Sequence, residues 1–264
     1  KISDSSDHKG GKFMIRETIQ VQYLDHMGDD LRVANVARVS FAKWKEDFDA
    51  RDKGLLEYLA TGLMAEDRQN FEMMAKAHTH WSPFAHCFLS IRVAAPIFLS
   101  RQLVKHQVGL SWNEESRRYI SSEPAYWLPK EVHQRPEGSI KQGSGGVHPE
   151  NQEILKEMEA NFERSLALYN KLLENEVAPE EARTVLPLNT MTHWVWSGSL
   201  MAFLRIYLQR SDSHAQLAAQ EFAEDLAVVL EDNFPETFVI FQKQFCRYYR
   251  NQYQSHQKDK SVHF

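Results

Sequence analysis

The sequence predicts a single α+β domain. Three observations lead there: short stretches that alternate apolar and polar residues, longer ones with apolar residues at helical spacing, and no internal repeat dividing the 264 residues. In order, Thr18 to Leu24 alternates as a strand does, and Asp25 to Asp30 (Asp-His-Met-Gly-Asp-Asp) is expected to break it. Leu31 to Phe41 is apolar and reads as a strand or a short helix ending at Ser40. Lys53 to Leu63 and Glu66 to Ala75 read as helices. Phe88 to Ala94 alternates again, as a half-buried strand. Pro96 suits a first helical turn, and Ile97 to His106 continues at helical spacing. On that helix Gln102 and Lys105 are three apart and share a face, while Leu99 and Leu103 point to the core. Arg135 to Pro149 is Gly/Ser-rich and reads as a mobile surface loop. Glu150 to Asn175 is a long amphipathic helix with Ile154, Met158, Phe162, Leu166 and Leu173 on its apolar side. Pro179 opens a short helix carrying Arg183. Trp194 to Gln209 reads as a strongly apolar helix, and His214 to Asn233 as a further one.

Composition narrows the function classes. A hydrophobic content of 42% supports a proper core, and no apolar run approaches membrane-spanning length. Two cysteines, Cys87 and Cys246, are too few for a disulfide framework and match no zinc spacing. A net charge of -5 argues against bulk nucleic-acid binding, so groups that bind anions must act locally. Lys1 to Lys12 is polar and is expected to be a disordered leader or cloning remnant, leaving 13–264 as the folded domain. The expectation is a cytoplasmic enzyme.

The most telling stretch runs from Gln102 to Tyr119. It gathers cations, amides, hydroxyls and carboxylates directly after an apolar segment. Arg117 and Arg118 can fork onto a phosphate, and Gln102, Asn113 and Glu114 offer the mixed donors and acceptors that a heterocycle or ribose needs. A solvated helix end would explain the charges but not the Ser, Asn, Gln and Gly among them, so the stretch reads as a nucleotide site. His78-Thr-His80-Trp-Ser-Pro-Phe-Ala-His86 holds three histidines, but lacks a carboxylate or thiol at ligand spacing. A ligand-facing turn is preferred there over a metal. Ser211 or Ser213 suits a helix cap, which leaves Arg210 as the odd member at the end of an apolar helix.

These blocks together resemble the flavin-dependent thymidylate synthases, the ThyX family. Ser111-Trp-Asn113-Glu114-Glu-Ser116-Arg-Arg118-Tyr119 matches the second half of that family's signature in full, and Lys105-His106-Gln107 stands where it has Arg-His-Arg. The resemblance extends, in family order, over Tyr23 to Asp30, Ala37 to Ser40, His80 to His86, Arg183 to Asn189 and Arg210 to Gln216. It implies a central, mostly antiparallel sheet flanked by helices, and the conversion of dUMP to dTMP. Methylenetetrahydrofolate would be the carbon donor and NADPH the reductant, through FAD. It also implies a homotetramer with active sites shared between subunits, and no covalent enzyme nucleophile. By the same resemblance Arg210 is catalytic, stabilising the pyrimidine as it ionises at N3. The dUMP pocket is Gln102, Lys105, Glu114, Ser116, Arg118, Arg183 and Arg210, joined by Arg117. The FAD site is His80, Ser82, Lys105, His106, Gln107, Asn113 and Glu114. No metal is implied.

Departures fall mostly on the flavin side. Lys105 keeps charge but loses the bidentate fork, and Gln107 loses charge outright. Counted from Arg183, the family's flavin-contacting Asn-x-Arg falls on Ser199-Leu-Met201 and a later Asn on Arg205. Ser199 and Arg205 therefore join the expected FAD set, with Arg205 restoring a cation one helical turn from Met201. The rival readings are a synthase-like flavoprotein that has lost methyl transfer, a metal-dependent nucleotide hydrolase, and an RNA-stacking protein. Acidic net charge weighs against the last.

Overall fold

The period-two alternation of Phe88–Pro96 sets the architecture. In the computed structural model, which describes residues 14–63, 78–120, 122–136 and 144–243, this segment is β2, inside a four-stranded antiparallel sheet. β1 (Gln20–Met27) pairs with one side of it and β4 (Met191–Ser199) with the other, while β3 (Leu110–Glu114) lies on the far edge beyond β4. Leu89, Ile91, Val93 and Ala95 of β2 face the same way as Trp194 and Trp196 of β4, and all six are buried. Of the alternate residues on the outer face, Phe88, Arg92 and Val195 are exposed.

Helices cover the inner face. They are α1 (Asp30–Arg38), α2 (Ala50–Thr61), α6 (Leu200–Arg210), α7 (Leu217–Asn233) and α8 (residues 235–243). α6 and α7 pack on each other and α7 on β1, in one core cluster that includes Trp196, Phe203 and Phe222. A smaller cluster forms beside it, where Phe162, Leu166 and Tyr169 of α4 (Asn151–Glu174) meet Tyr126 and Leu128. The remaining short helices are α3 (Ile97–Leu103) and α5 (Pro179–Ala182).

Local chemistry explains most boundaries. The Asp29 carboxylate caps α1 by accepting from Arg32 N at 2.7 Å. Asp49 and Asp52 form a capping box at α2, which ends at Gly62 in the left-handed region. Ser199 caps α6 by accepting from Ala202 N at 3.3 Å.

Five sequence expectations need correction. Neither Ser211 nor Ser213 caps the helix after Arg210, which begins at Leu217 with Gln216 at its N-cap and no side-chain cap. The segment expected as one helix from Trp194 to Gln209 is the second half of β4 followed by α6. Its Trp-x-Trp alternation is a strand pattern, and the Ser199 cap marks the junction. Asp25 to Met27 does not break β1, because a bulge between Tyr23 and Asp25 absorbs the irregularity and pairing continues to Met27. Leu110 to Glu114, read only as a ligand segment, is a strand whose Trp112 stacks on Trp194 with ring centroids 4.3 Å apart. The helix expected over Ile97 to His106 stops at Leu103. Leu31 to Phe41 resolves as helix, α1 followed by a turn of 3-10 helix. The helix expected at Glu66 to Ala75 lies outside the described residues.

Candidate active site

The polar stretch that stood out in the sequence folds back on itself. α3 leaves the end of β2, the chain turns through residues 104–109, and β3 returns along β4. A close approach makes the turn possible: Ser199 N donates to Gly109 O at 3.0 Å, beside Gly198, where an added Cβ would lie 2.2 Å from that oxygen.

Between α3, the end of β3, β4 and the 3-10 turn Arg183–Val185 lies a cleft of about 250 Å³. Arg101, Arg117, Arg183, Glu114, Glu115 and Thr192 are among its lining residues. Glu114 accepts from Thr192 Oγ1 at 2.7 Å and from Trp112 Nε1 at 3.2 Å, so both of its oxygens are oriented. Glu115 lies 3.1 Å from His193, whose other ring nitrogen is 3.5 Å from Glu17. The hydrogen bond from His193 to the Glu115 carboxylate, with the charges of both carboxylates, raises the His193 pKa against the opposing effect of burial. The arginines are held differently. Arg117 donates to Ser122 O and Arg183 to Glu180 O, both backbone carbonyls.

A second pair joins distant parts of the chain. The Arg210 guanidinium, at the end of α6, donates from Nη2 at 2.7 Å and from Nε at 3.2 Å to His106 Nε2. A ring nitrogen that accepts must be unprotonated, so His106 is neutral and carries its proton on Nδ1. Burial, then the adjacent Arg210 charge, lowers the His106 pKa in the same sense.

The cleft brings together Glu114, Arg117 and Arg183 of the expected residues. Ser116 and Arg118 occupy the adjoining turn, where Arg118 N points to Ser116 Oγ at 3.4 Å and the Arg118 guanidinium lies over the Tyr119 ring. Gln102 on α3 is half-buried, with Oε1 unpartnered. Lys105, Gln107 and Asn113 are exposed, as is Arg205 on α6. Ser199 is committed to its helix cap. His80 stacks on Tyr58 with ring centroids 5.1 Å apart, and Ser82 precedes the 3-10 turn Pro83–His86. Sequence reading missed Arg101 and Thr192. It placed Arg101 on a helix continuing to His106, whereas the helix ends at Leu103 and no face extends to Lys105. Among the described residues no cluster of His, Cys, Asp and Glu is disposed to hold a metal. The exposed amide, hydroxyl and cationic donors around residues 105–113 suit a flavin's polar edges and pyrophosphate. Met201, buried in α6, does not.

Comparison with known proteins follows the same lines. Residues 22–236 match the model of the family described as thymidylate synthase complementing protein. The chain is 35% identical over 228 residues to a flavin-dependent thymidylate synthase of Thermosipho africanus, covering 84% of this chain and 90% of that protein. A flavin-dependent thymidylate synthase of Kosmotoga olearia is 32% identical over 223 residues, with 84% and 89% covered. Among solved structures, a UMP/dUMP methylase, PolB from Streptomyces cacaoi, bound with 5-Br dUMP, superposes with a TM-score of 0.74 at 27% identity, covering 88% of this chain and 97% of that one.

Proposed function

The chain belongs to the thymidylate synthase complementing protein family, that of the flavin-dependent thymidylate synthases, and from that premise we propose that it converts dUMP to dTMP by reductive methylation. One observation carries the reading. Arg210, assigned to the pyrimidine, and His106, assigned to the flavin, lie 104 positions apart in sequence and are hydrogen-bonded to each other. A reaction that joins flavin to uracil needs those two places adjacent.

Bound FAD supplies the reducing equivalents, with NADPH as their source and methylenetetrahydrofolate as the carbon donor. The chain's own residues bind and polarise the nucleotide. Arg210 sets a fixed positive charge beside the pyrimidine, which stabilises the ring as its N3 proton leaves and pushes electron density toward C5. Neutral His106 accepts from two guanidinium nitrogens without cancelling that charge. Glu114, oriented by Thr192 and Trp112, presents an acceptor to the nucleotide. Arg117, Arg118, Arg183 and Ser116 surround the phosphate, with Gln102 and Lys105 completing the pocket. His80, Ser82, Lys105, His106, Gln107, Asn113, Ser199 and Arg205 are the flavin-side residues. Cys87 is buried and its pKa is raised to about 12, chiefly by burial, which suits a mechanism without a cysteine nucleophile.

The working form is a homotetramer whose sites are shared between subunits. The exposed Phe88 and Val195 on the outer face of the sheet support that reading. Among the described residues no helix is long and apolar enough to cross a membrane.

An anaerobic assay with FAD, NADPH, methylenetetrahydrofolate and dUMP tests the proposal, with Arg210→Ala in parallel. Formation of dTMP by the parent and little by the variant is expected. Flavin that binds and is reduced without dTMP appearing would replace this reading with a synthase-like flavoprotein lacking methyl transfer.

A further inference from the structure

We propose that Arg101 is a further phosphate-binding residue of this protein, joining Arg117 and Arg183 in the cleft wall that receives the monophosphate of the nucleotide. The inference rests on the synthase reading and adds to it a residue outside the set that the family motif marks.

The argument begins with charge. Arg101 from α3, Arg117 from the segment after β3 and Arg183 from the 3-10 turn line one cleft. Its two carboxylates are already engaged: Glu114 by Thr192 and Trp112, Glu115 by His193. None of the three arginines forms an ion pair among the described residues. The three arginines outnumber the two carboxylates in the cleft wall, and an arriving anion balances the excess positive charge.

Their tethers point the same way. Arg117 and Arg183 are each anchored through one nitrogen to a backbone carbonyl, which fixes orientation while leaving the charge intact. Arg117 Nε is buried without a partner, an unmet donor in the wall of the cleft. A phosphomonoester near pH 7 carries close to two negative charges and several acceptor oxygens. It satisfies that donor and neutralises the excess positive charge at once, through the bidentate geometry guanidinium groups favour. The Arg101 side chain forms no hydrogen bond or ion pair among the described residues and is exposed, so it is free to close over the ligand.

Binding of dUMP and of deoxyuridine to the FAD-loaded enzyme, measured by calorimetry for the parent, Arg101→Gln and Arg101→Lys, tests this. Arg101→Gln is expected to weaken dUMP on the order of tenfold to a hundredfold, the loss of one charge-assisted contact. It should leave the weaker deoxyuridine binding unchanged, and Arg101→Lys should recover part of the dUMP affinity. Equal loss for dUMP and deoxyuridine overturns the assignment, since the residue would then act on the pyrimidine, the sugar or the fold. So does weakened FAD affinity with dUMP binding intact, which would place Arg101 on the flavin pyrophosphate. If Arg101→Gln binds dUMP as the parent does, Arg101 alone is overturned. A parent that binds no dUMP would instead overturn the synthase reading on which the assignment stands.

Discussion

A histidine that accepts hydrogen bonds from an arginine can do so in only one protonation state. His106 Nε2 must keep its lone pair for Arg210, and protonation would set two cations against each other at 2.7 Å. Burial and the Arg210 charge both lower the His106 pKa below the usual value near 6.5. The sign follows: the pairing holds above the lowered pKa and is lost as the pH falls through it. With FAD saturating, the acid limb of kcat/KM for dUMP should therefore have its midpoint below 6.5. His106→Ala, which removes the acceptor, should lower kcat/KM by about tenfold or more. His106→Gln retains an acceptor that does not titrate, so it should recover part of that loss and shift or abolish the acid limb. An acid limb unchanged in His106→Gln would assign the titration to another group.

At the scale of elements, two short-range devices hold the site's surroundings. The first is the Asp52 carboxylate, fully buried at the start of α2, which receives Arg38 and Lys45 side chains and Asp49 N. Burial alone would raise its pKa, but these hydrogen bonds outweigh it and hold it below the usual range. The cluster ties α1 to α2 across the loop that leaves Phe41 and Trp44 exposed. Asp52→Asn removes the one charge that both cations share. Because Arg38 and Lys45 keep some access to water, the expected cost is about 2–3 kcal/mol, below that of a wholly buried pair. Urea unfolding should show it as a lower midpoint with an unchanged m-value. The second device is Gly198 against Gly109 O. Gly198→Ala has no room at 2.2 Å and should cost about 1–3 kcal/mol while displacing the turn that carries Lys105, His106 and Gln107. A variant with parent-like FAD affinity would show that the turn does not depend on this contact. These elements also mark where the sequence was legible. The alternation of β2 and the long apolar stripe of α4 were readable because one face of each is buried and the other wet. The β4–α6 junction was not, because apolar residues run through it and only the alternate tryptophans and the Ser199 cap divide strand from helix. The site's residue types were visible within one segment, but the cleft needs Arg101 from α3, Arg183 from the 3-10 turn and Thr192 from β4, which only the tertiary fold gathers.

Across the whole molecule, His193 links segments far apart in sequence. It sits in β4 between Glu115, which lines the cleft, and Glu17, whose backbone N donates to Tyr126 O. A change of charge on this one ring therefore acts on the approach to β1, on the smaller core cluster around Tyr126 and on the cleft wall. Its pKa is raised, first by the hydrogen bond with Glu115, so the folded protein binds this proton more tightly than the unfolded chain does. The resulting stabilisation is fully present below the unfolded value near 6.5 and disappears as pH rises through the folded value. His106 works in the opposite direction: its pKa is lowered, so it adds nothing above 6.5 and takes stability away as the pH falls below that. Between them, the two histidines place a stability maximum near pH 6.5, with His193 responsible for the alkaline side and His106 for the acid side. Unfolding free energies from urea titrations between pH 5 and 9 should separate them. His193→Gln should flatten the decline above pH 6.5 and leave the acid side alone, and His106→Gln should do the reverse. If the alkaline decline persists in His193→Gln, the Glu17–His193–Glu115 contact is not what couples these segments to pH.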